Sequence, residues 1–309
     1  MEFNKEQKRL IFVIALLIVS VFSIAMFGIK VFYLLLASIG ASFVVELAFV
    51  YFRKKPIEVT RWLITPMIIV LFLPLATPIW MAAVTTAFAV FFGSALFGGE
   101  DNYLFVPAML GVVFATISFP IHMTTMWSGP GSLSALTPQN TATILKAGGV
   151  LNIKDLLMGN SVGSIGEGFR LLLILLGLGL MALKVVDWKV PTFYLGSYFL
   201  FTTFGKMVGI EGVMDPVNSL FVGTVILTAF FVAVDEPTMA QYPLGKILYG
   251  IGLGLFTFLV RTFSNYSDGT MFVILIMNAL APLIDKIEAP KVIEEDDTLE
   301  EGVIAWKKV

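Results

Sequence analysis

Two polar stretches interrupt a chain that is otherwise apolar almost end to end: "SLSALTPQNTATILKAGG" over 132–149 and "GNSVGSIGEGFR" over 159–170. The first offers hydroxyls, among them Ser134, Thr137, Thr141 and Thr143, punctuated by Gly and Pro. A serine or threonine nucleophile needs a base within hydrogen-bond reach. The chain has one histidine, His122, which argues against hydrolase chemistry. Neither a GxxxxGK[ST] loop nor a GxGxxG turn after a strand is present to cradle phosphates. What remains is a hydroxyl offered for covalent modification, or a mobile loop, and composition leaves both open.

The second stretch places four glycines ahead of an apolar run. Glycine permits positive φ and close approach by another backbone or a flat ligand. Glu167 falls near the start of the following helix, where the helix dipole favours a carboxylate. Arg170 lies one turn on, on the same face. An ordinary glycine-rich lead-in with a capping carboxylate reads equally well from these residues.

Three further carboxylates fall in or beside apolar runs: Glu46, Asp235 and Glu236. A charge at the centre of a spanning helix costs about 2.5–3.5 kcal/mol on insertion scales, so it faces protein or a cavity. Glu46, two turns before Arg53, reads best as an interfacial carboxylate. Asp235 and Glu236 precede Pro237 at a helix end; they are either solvated or placed to receive a cation or proton. His122 reads as an interface residue. No residue pattern points to a metal site: the 309 residues include no cysteine, which removes disulfides and thiolate-ligated zinc or iron–sulfur clusters.

Lipid is the solvent that the elements around these residues imply. Hydrophobic residues make up 58% and charged ones 14%, against about 25% charged in a soluble domain, and the mean hydropathy is +0.91. Apolar runs at roughly 10–29, 31–52, 62–76, 79–98, 103–124, 169–186, 191–208, 217–234, 246–263 and 270–284 give ten candidate spans. The first reads as a retained helix, with no small-residue cleavage site at its end. Runs three, six and ten are short, and runs three and five carry internal prolines, Pro66, Pro74, Pro107 and Pro120. The fold class expected is all-α, a polytopic membrane protein.

With the N-terminus inside, fourteen of the 20 Lys and Arg residues fall on the inner side. This is the bias of cytoplasmic loops, so both termini are expected in the cytoplasm and the polar loop outside. "PLATPIWM" and "YLFVPAML" in spans three to five are echoed by "AVDEPTM" and "TMFVILIMNALAPL" in spans eight to ten. An offset of five spans inverts one half against the other, and such inverted repeats with broken helices place their sites between the halves. The organisation expected is a first half over 1–124, an outer loop over 125–168, a second half over 169–285 and a charged cytoplasmic tail over 286–309.

Several blocks, in order over about 62–285, together resemble one family. They are "LFLPLATPIWMAAVTTAFAVFFGSALFGG" with "VPAM", "GNSVGSIGEGFRLLLILLGLGLMAL", "DWKVP", "AFFVAVDEPT", "GKILYGIGLGLFTFLVRTF" and "SDGTMFVILIMNALAPLID". The family is the D subunit of the Rnf ferredoxin:NAD oxidoreductase, with the homologous B subunit of the sodium-pumping NADH:quinone oxidoreductase. That family attaches FMN through a phosphoester to the Thr of an S-G-A-T-type motif in the outer loop. The matching segment here is Ser134-Ala135-Leu136-Thr137-Pro138, in which Ala-Leu replaces Gly-Ala and the usual preceding Asp is absent. Ser94 stands where the family often has Lys, and "VDEPT" replaces a T-D-P-V-T type, as in a divergent branch.

The resemblance implies a membrane subunit of an ion-translocating oxidoreductase of the prokaryotic cytoplasmic membrane, not active alone. Its partners would be the other subunits of the complex, a flavin transferase and the bilayer, with no nucleic acid. The cofactors implied are FMN on Thr137 and a second flavin, riboflavin or FMN, between the halves. Ser134, Gly163, Gly166, Glu167 and Arg170 would surround the attached flavin, Arg170 pairing with its phosphate; Asp235 and Glu236 would line an ion path. Two rival readings are a flavoprotein that delivers electrons to an outer acceptor without pumping, and a channel or transporter of the same architecture with no redox role.

Overall fold

The structure is a computed structural model and describes residues 3–53, 62–98, 102–129, 137, 139–149, 151–266 and 268–288. Among these residues regular structure is helical, with only isolated β-bridges besides. The chain is an all-α polytopic membrane protein. In chain order the α-helices are α1 (Lys5–Phe27), α2 (Ile29–Arg53), α3 (Ile64–Phe72), α4 (Ile79–Val90), α5 (Pro107–Ser118), α6 (Pro120–Thr124), α7 (Thr141–Lys146), α8 (Ile153–Met158), α9 (Arg170–Ala182), α10 (Lys189–Val208), α11 (Pro216–Phe221), α12 (Val225–Phe231), α13 (Pro243–Phe263) and α14 (Thr270–Glu288). A hydrocarbon core about 30 Å thick needs about 20 apolar residues. By length and composition α1, α2, α13 and α14 qualify, and shorter apolar helices occupy 79–95, 107–118 and 170–182.

Local chemistry sets the boundaries. Asn4 and Gln7 form a reciprocal capping box at the start of α1, and Gly28 ends it at φ +87°, a conformation that suits glycine. The prolines of runs three and five start or stop helices rather than kink them. Pro107 and Pro120 occupy first positions of α5 and α6, where a missing N–H costs nothing. Pro74 follows the end of α3, and Pro66 lies in its first turn. Run ten, expected short, is a 19-residue helix reaching Glu288.

Run eight was expected continuous and is broken. Val222 is extended, and Gly223 takes φ +70° between α11 and α12. The break is held by side chains: the Thr224 N–H and hydroxyl donate to Asp268 Oδ2 at 2.8 and 2.7 Å, and the Gly223 N–H donates to Glu167 Oε2 at 3.0 Å. Arg261, 1% exposed, donates to the carbonyls of Ser219 and Val222 and to the Tyr198 hydroxyl, each at 2.9 Å. A Cβ on Gly223 would sit 2.7 Å from the Arg261 guanidinium.

One packing scheme occurs twice. α2 packs on α3 and α4, and α4 on α5; α10 packs on α12 and α13, and α13 on α14. α1 meets α3 as α9 meets α12, while α1 touches α9 and α5 touches α14 across the centre. Phe22 near the end of α1 stacks on Phe169 at the start of α9, ring centroids 5.9 Å apart. The halves also share a polar clasp. Asn278 of α14, fully buried, accepts from the Val106 N–H and donates to the Thr238 carbonyl and the Tyr249 hydroxyl, at 3.0–3.1 Å.

Candidate functional site

The described residues of the loop between the halves are docked on the helices. α7, α8, Met214 and Val222 share a small apolar cluster of Ala142, Leu145, Leu156, Met214 and Val222. The Lys146 ammonium donates to the carbonyls of Arg261 and Ser264 at 2.9 and 3.0 Å, satisfying groups at the C-terminus of α13 that lack helical partners. Burial, with the nearby Arg261 charge, holds the Lys146 pKa below its usual value.

Thr137 ends a short series of isolated backbone bridges. Its N–H and C=O exchange hydrogen bonds with Trp127 at 2.8 and 3.1 Å; the next residue, Ser128, bridges to Gly163, and Ser164 bridges to Pro74. The 127–128 segment thus brings the hydroxyl stretch and the glycine block together, although 26 positions separate Thr137 from Gly163. The Thr137 hydroxyl, half-buried, donates to the Gln139 carbonyl at 2.6 Å and accepts from the Gln139 N–H at 3.2 Å. The other threonines are differently placed. Thr141 is 2% exposed and its oxygen accepts from the Val162 N–H at 2.8 Å. Thr143 donates to Asn140 Oδ1 at 2.9 Å, in the cap of α7. Ser134 lies outside the described residues.

The glycine block serves the protein's own packing. A Cβ on Gly166 would meet Leu227 at 2.6 Å and the Leu71 carbonyl at 2.8 Å; one on Gly163 would collide with the Glu167 carboxylate. Ser164 and Glu167 form a capping box across the 3-10 turn Ile165–Glu167. Arg170, expected to face an attached phosphate, is 1% exposed and turned inward. Its Nη1 donates to the Leu156 carbonyl and Ser161 Oγ, both at 2.8 Å, and Nη2 pairs with Glu167 Oε2 at 2.7 Å. Glu167 also accepts from the Ser164 N–H and hydroxyl and from Gly223. This pair joins the loop, α9 and the break before α12.

A cavity opens at the end of the bundle opposite the loop. Its walls come from both halves: Lys5, Lys8, Arg9 and Phe12 of α1, Glu46 of α2, Trp62 and Thr65 at α3, Ser94, Tyr103 and Val106, then Phe231, Asp235 and Glu236. Ser94 lies in a π turn, Phe91–Ala95, that continues α4; insertions of this kind concentrate at functional sites. Asp235 accepts from the Tyr103 hydroxyl at 3.1 Å and from the Thr238 hydroxyl at 3.0 Å, while Glu236 is exposed. Glu46, read from sequence as an interfacial carboxylate, faces the same cavity as Asp235 from the other half. Only its polarity within an apolar run marked it. Among the described residues no group of three or more His, Cys, Asp or Glu is arranged to hold a metal ion.

The family model described as "NQR2, RnfD, RnfE family" matches residues 3–294. The D subunit of the proton-translocating ferredoxin:NAD(+) oxidoreductase complex of Clostridium ljungdahlii is 32% identical over 293 residues, covering 90% of this chain and 88% of that protein. The D subunit of the ion-translocating oxidoreductase complex of Erwinia tasmaniensis is 29% identical, with 84% and 85% covered. Its counterpart in Pseudomonas paraeruginosa is 32% identical, with 80% and 79% covered.

Proposed function

The chain belongs to the NQR2, RnfD, RnfE family, and from that premise we propose that it is a membrane subunit of an ion-translocating oxidoreductase complex that carries FMN covalently on Thr137. The observation that carries the cofactor reading is the placement of Thr137. Its hydroxyl is half-buried and bonded only within its own turn, beside a backbone bridge to Trp127, whereas Thr141 is buried and the half-buried Thr143 is engaged in a helix cap. The donor chemistry fits a phosphoester: no neighbouring acid or base is needed in the product, and the Gln139 N–H already donates to the oxygen that would bear phosphorus.

A transferase using a flavin dinucleotide balances the attachment. The Thr137 O–P bond forms, the pyrophosphate bond breaks, the hydroxyl proton leaves and a nucleoside monophosphate is released. Once bound, a flavin supplies one- or two-electron transfer. The protein's part is to hold the attachment point still. Glu167 and Arg170 do this as positioning residues, by fixing the Gly163–Gly166 turn against which the bridged segment rests.

The cavity at the opposite end suits the second, noncovalent flavin. Phe12, Trp62 and Phe231 offer flat apolar surface, and Ser94, Tyr103 and Asp235 offer hydrogen-bonding groups. Asp235 and Glu236, with Glu46 across from them, are the groups of this cavity suited to an ion path. The charge bias supports an orientation with both termini and the cavity on the cytoplasmic side and the loop outside the prokaryotic cytoplasmic membrane; a reporter fused at Gly149 that reads cytoplasmic would overturn this orientation. The other subunits of the complex and a flavin transferase are the partners.

The cofactor reading is tested by co-expressing the chain with a flavin transferase and reading flavin fluorescence in a denaturing gel. Wild type should carry the signal and Thr137→Ala should lose it. An unlabelled wild-type chain would return the loop to a structural role.

A further inference from the structure

We propose that Trp127 is the ring-facing residue of the attachment loop, packing its indole against the isoalloxazine of the flavin borne by Thr137. The proposal rests on the Thr137 reading and adds to it the residue that sets the flavin's environment.

The geometry is that of a cross-strand pair. Trp127 and Thr137 each donate one backbone hydrogen bond to the other, at 3.1 and 2.8 Å. Two residues that exchange both bonds sit directly opposite each other in an antiparallel pair. Their side chains leave the ribbon on the same face, with Cβ atoms about 4.5–5.5 Å apart. Whatever is built on the Thr137 oxygen therefore starts beside the indole.

The ribbon is prevented from rolling. Ser128, the next residue, is fully buried and bridges to Gly163, which pins the far side of the same segment. The indole is itself oriented: its Nε1–H donates to the Thr124 carbonyl at 2.9 Å. The ring remains only half-buried, leaving surface for a second flat ring. The ribityl chain, with several rotatable bonds, lets the isoalloxazine fold back over a neighbour at this distance. Flat aromatic systems gain from offset stacking beyond the area they bury, and no other protein ring is paired with Trp127 among the described residues. Trp80, packed edge-on against Phe119, provides a second indole near the same end of the bundle and hence a control.

An indole in contact with a flavin quenches its fluorescence, which gives a readout independent of turnover. The experiment compares native flavin emission of wild type, Trp127→Leu, Trp127→Phe and Trp80→Leu in detergent, each normalised to covalent flavin measured after denaturation. Trp127→Leu should raise native emission several-fold, Trp127→Phe should raise it also, and Trp80→Leu should leave it unchanged. Unfolding wild type should release the same several-fold increase. Equal emission from wild type and Trp127→Leu at equal loading, or an increase confined to Trp80→Leu, would overturn the proposal. If Trp127→Leu fails to load, the wild-type chain decides alone: no rise on unfolding with the flavin still attached refutes the contact. A wild-type chain without covalent flavin refutes the Thr137 reading, and the Trp127 contact with it.

Discussion

Replacing Arg170 by Met should destabilise the protein by about 3–5 kcal/mol, the cost of breaking a buried ion pair by removing one partner. The figure follows from what the guanidinium touches. Two of its hydrogen bonds end on the Leu156 carbonyl and Ser161 Oγ, and the third on Glu167. Each buried group left unpaired costs about 1–3 kcal/mol. Glu167, 5% exposed, would lose its counter-charge but keep N–H donors from Ser164 and Gly223, which holds the total within that range. The double variant Arg170→Met/Glu167→Gln removes the stranded charge and keeps an oxygen for Ser164, while its amide NH2 replaces the oxygen that accepts from the Gly223 N–H. It should be more stable than Arg170→Met alone. The assay is chemical unfolding in detergent micelles for wild type, both single variants and the double variant. A cost below about 1 kcal/mol for Arg170→Met, with no coupling in the cycle, would refute the positioning role. It would instead favour a guanidinium that serves an external anion.

Two further outcomes follow from the clasp and the cavity. Asn278→Leu leaves the Val106 N–H, the Thr238 carbonyl and the Tyr249 hydroxyl without their partner. At about 1–3 kcal/mol for each buried group the halves should separate at distinctly lower denaturant, and an unchanged midpoint would contradict the clasp. Asp235→Asn and Glu236→Gln should lower ion uptake by the assembled complex while leaving its assembly intact; unchanged uptake in both would make these carboxylates merely solvated.

Hydropathy made the helical elements legible because lipid demands long apolar runs and internally satisfied backbone. All ten expected runs contain helix. The break in run eight was hidden, because "SLFVGTVIL" carries no charge or proline and its interruption is offset by hydrogen bonds accepted by Glu167 and Asp268 and donated by Arg261, residues distant in sequence. That Arg170 shares a face with Glu167 was readable from i,i+3 spacing. Its inward direction was not, because Leu156 and Ser161 reach it only through the fold of the loop. The meeting of Thr137 with the glycine block depends on the 127–128 bridges, and no local pattern in "MWSG" announces that pairing. Glu46 and Asp235 share a cavity across two halves of the chain, a proximity that follows from the doubled packing scheme and not from either neighbourhood.

The cofactor assignment turns on one hydroxyl. The most direct measurement is the intact mass of the purified chain made with a flavin transferase, followed by peptide mapping of the loop. The expected mass is that of the chain plus one FMN less water, with the flavin located on Thr137. It should be lost in Thr137→Ala, while Thr141→Ala stays loaded. An unmodified mass, or a flavin mapped to Thr141 or Thr143, would contradict the assignment.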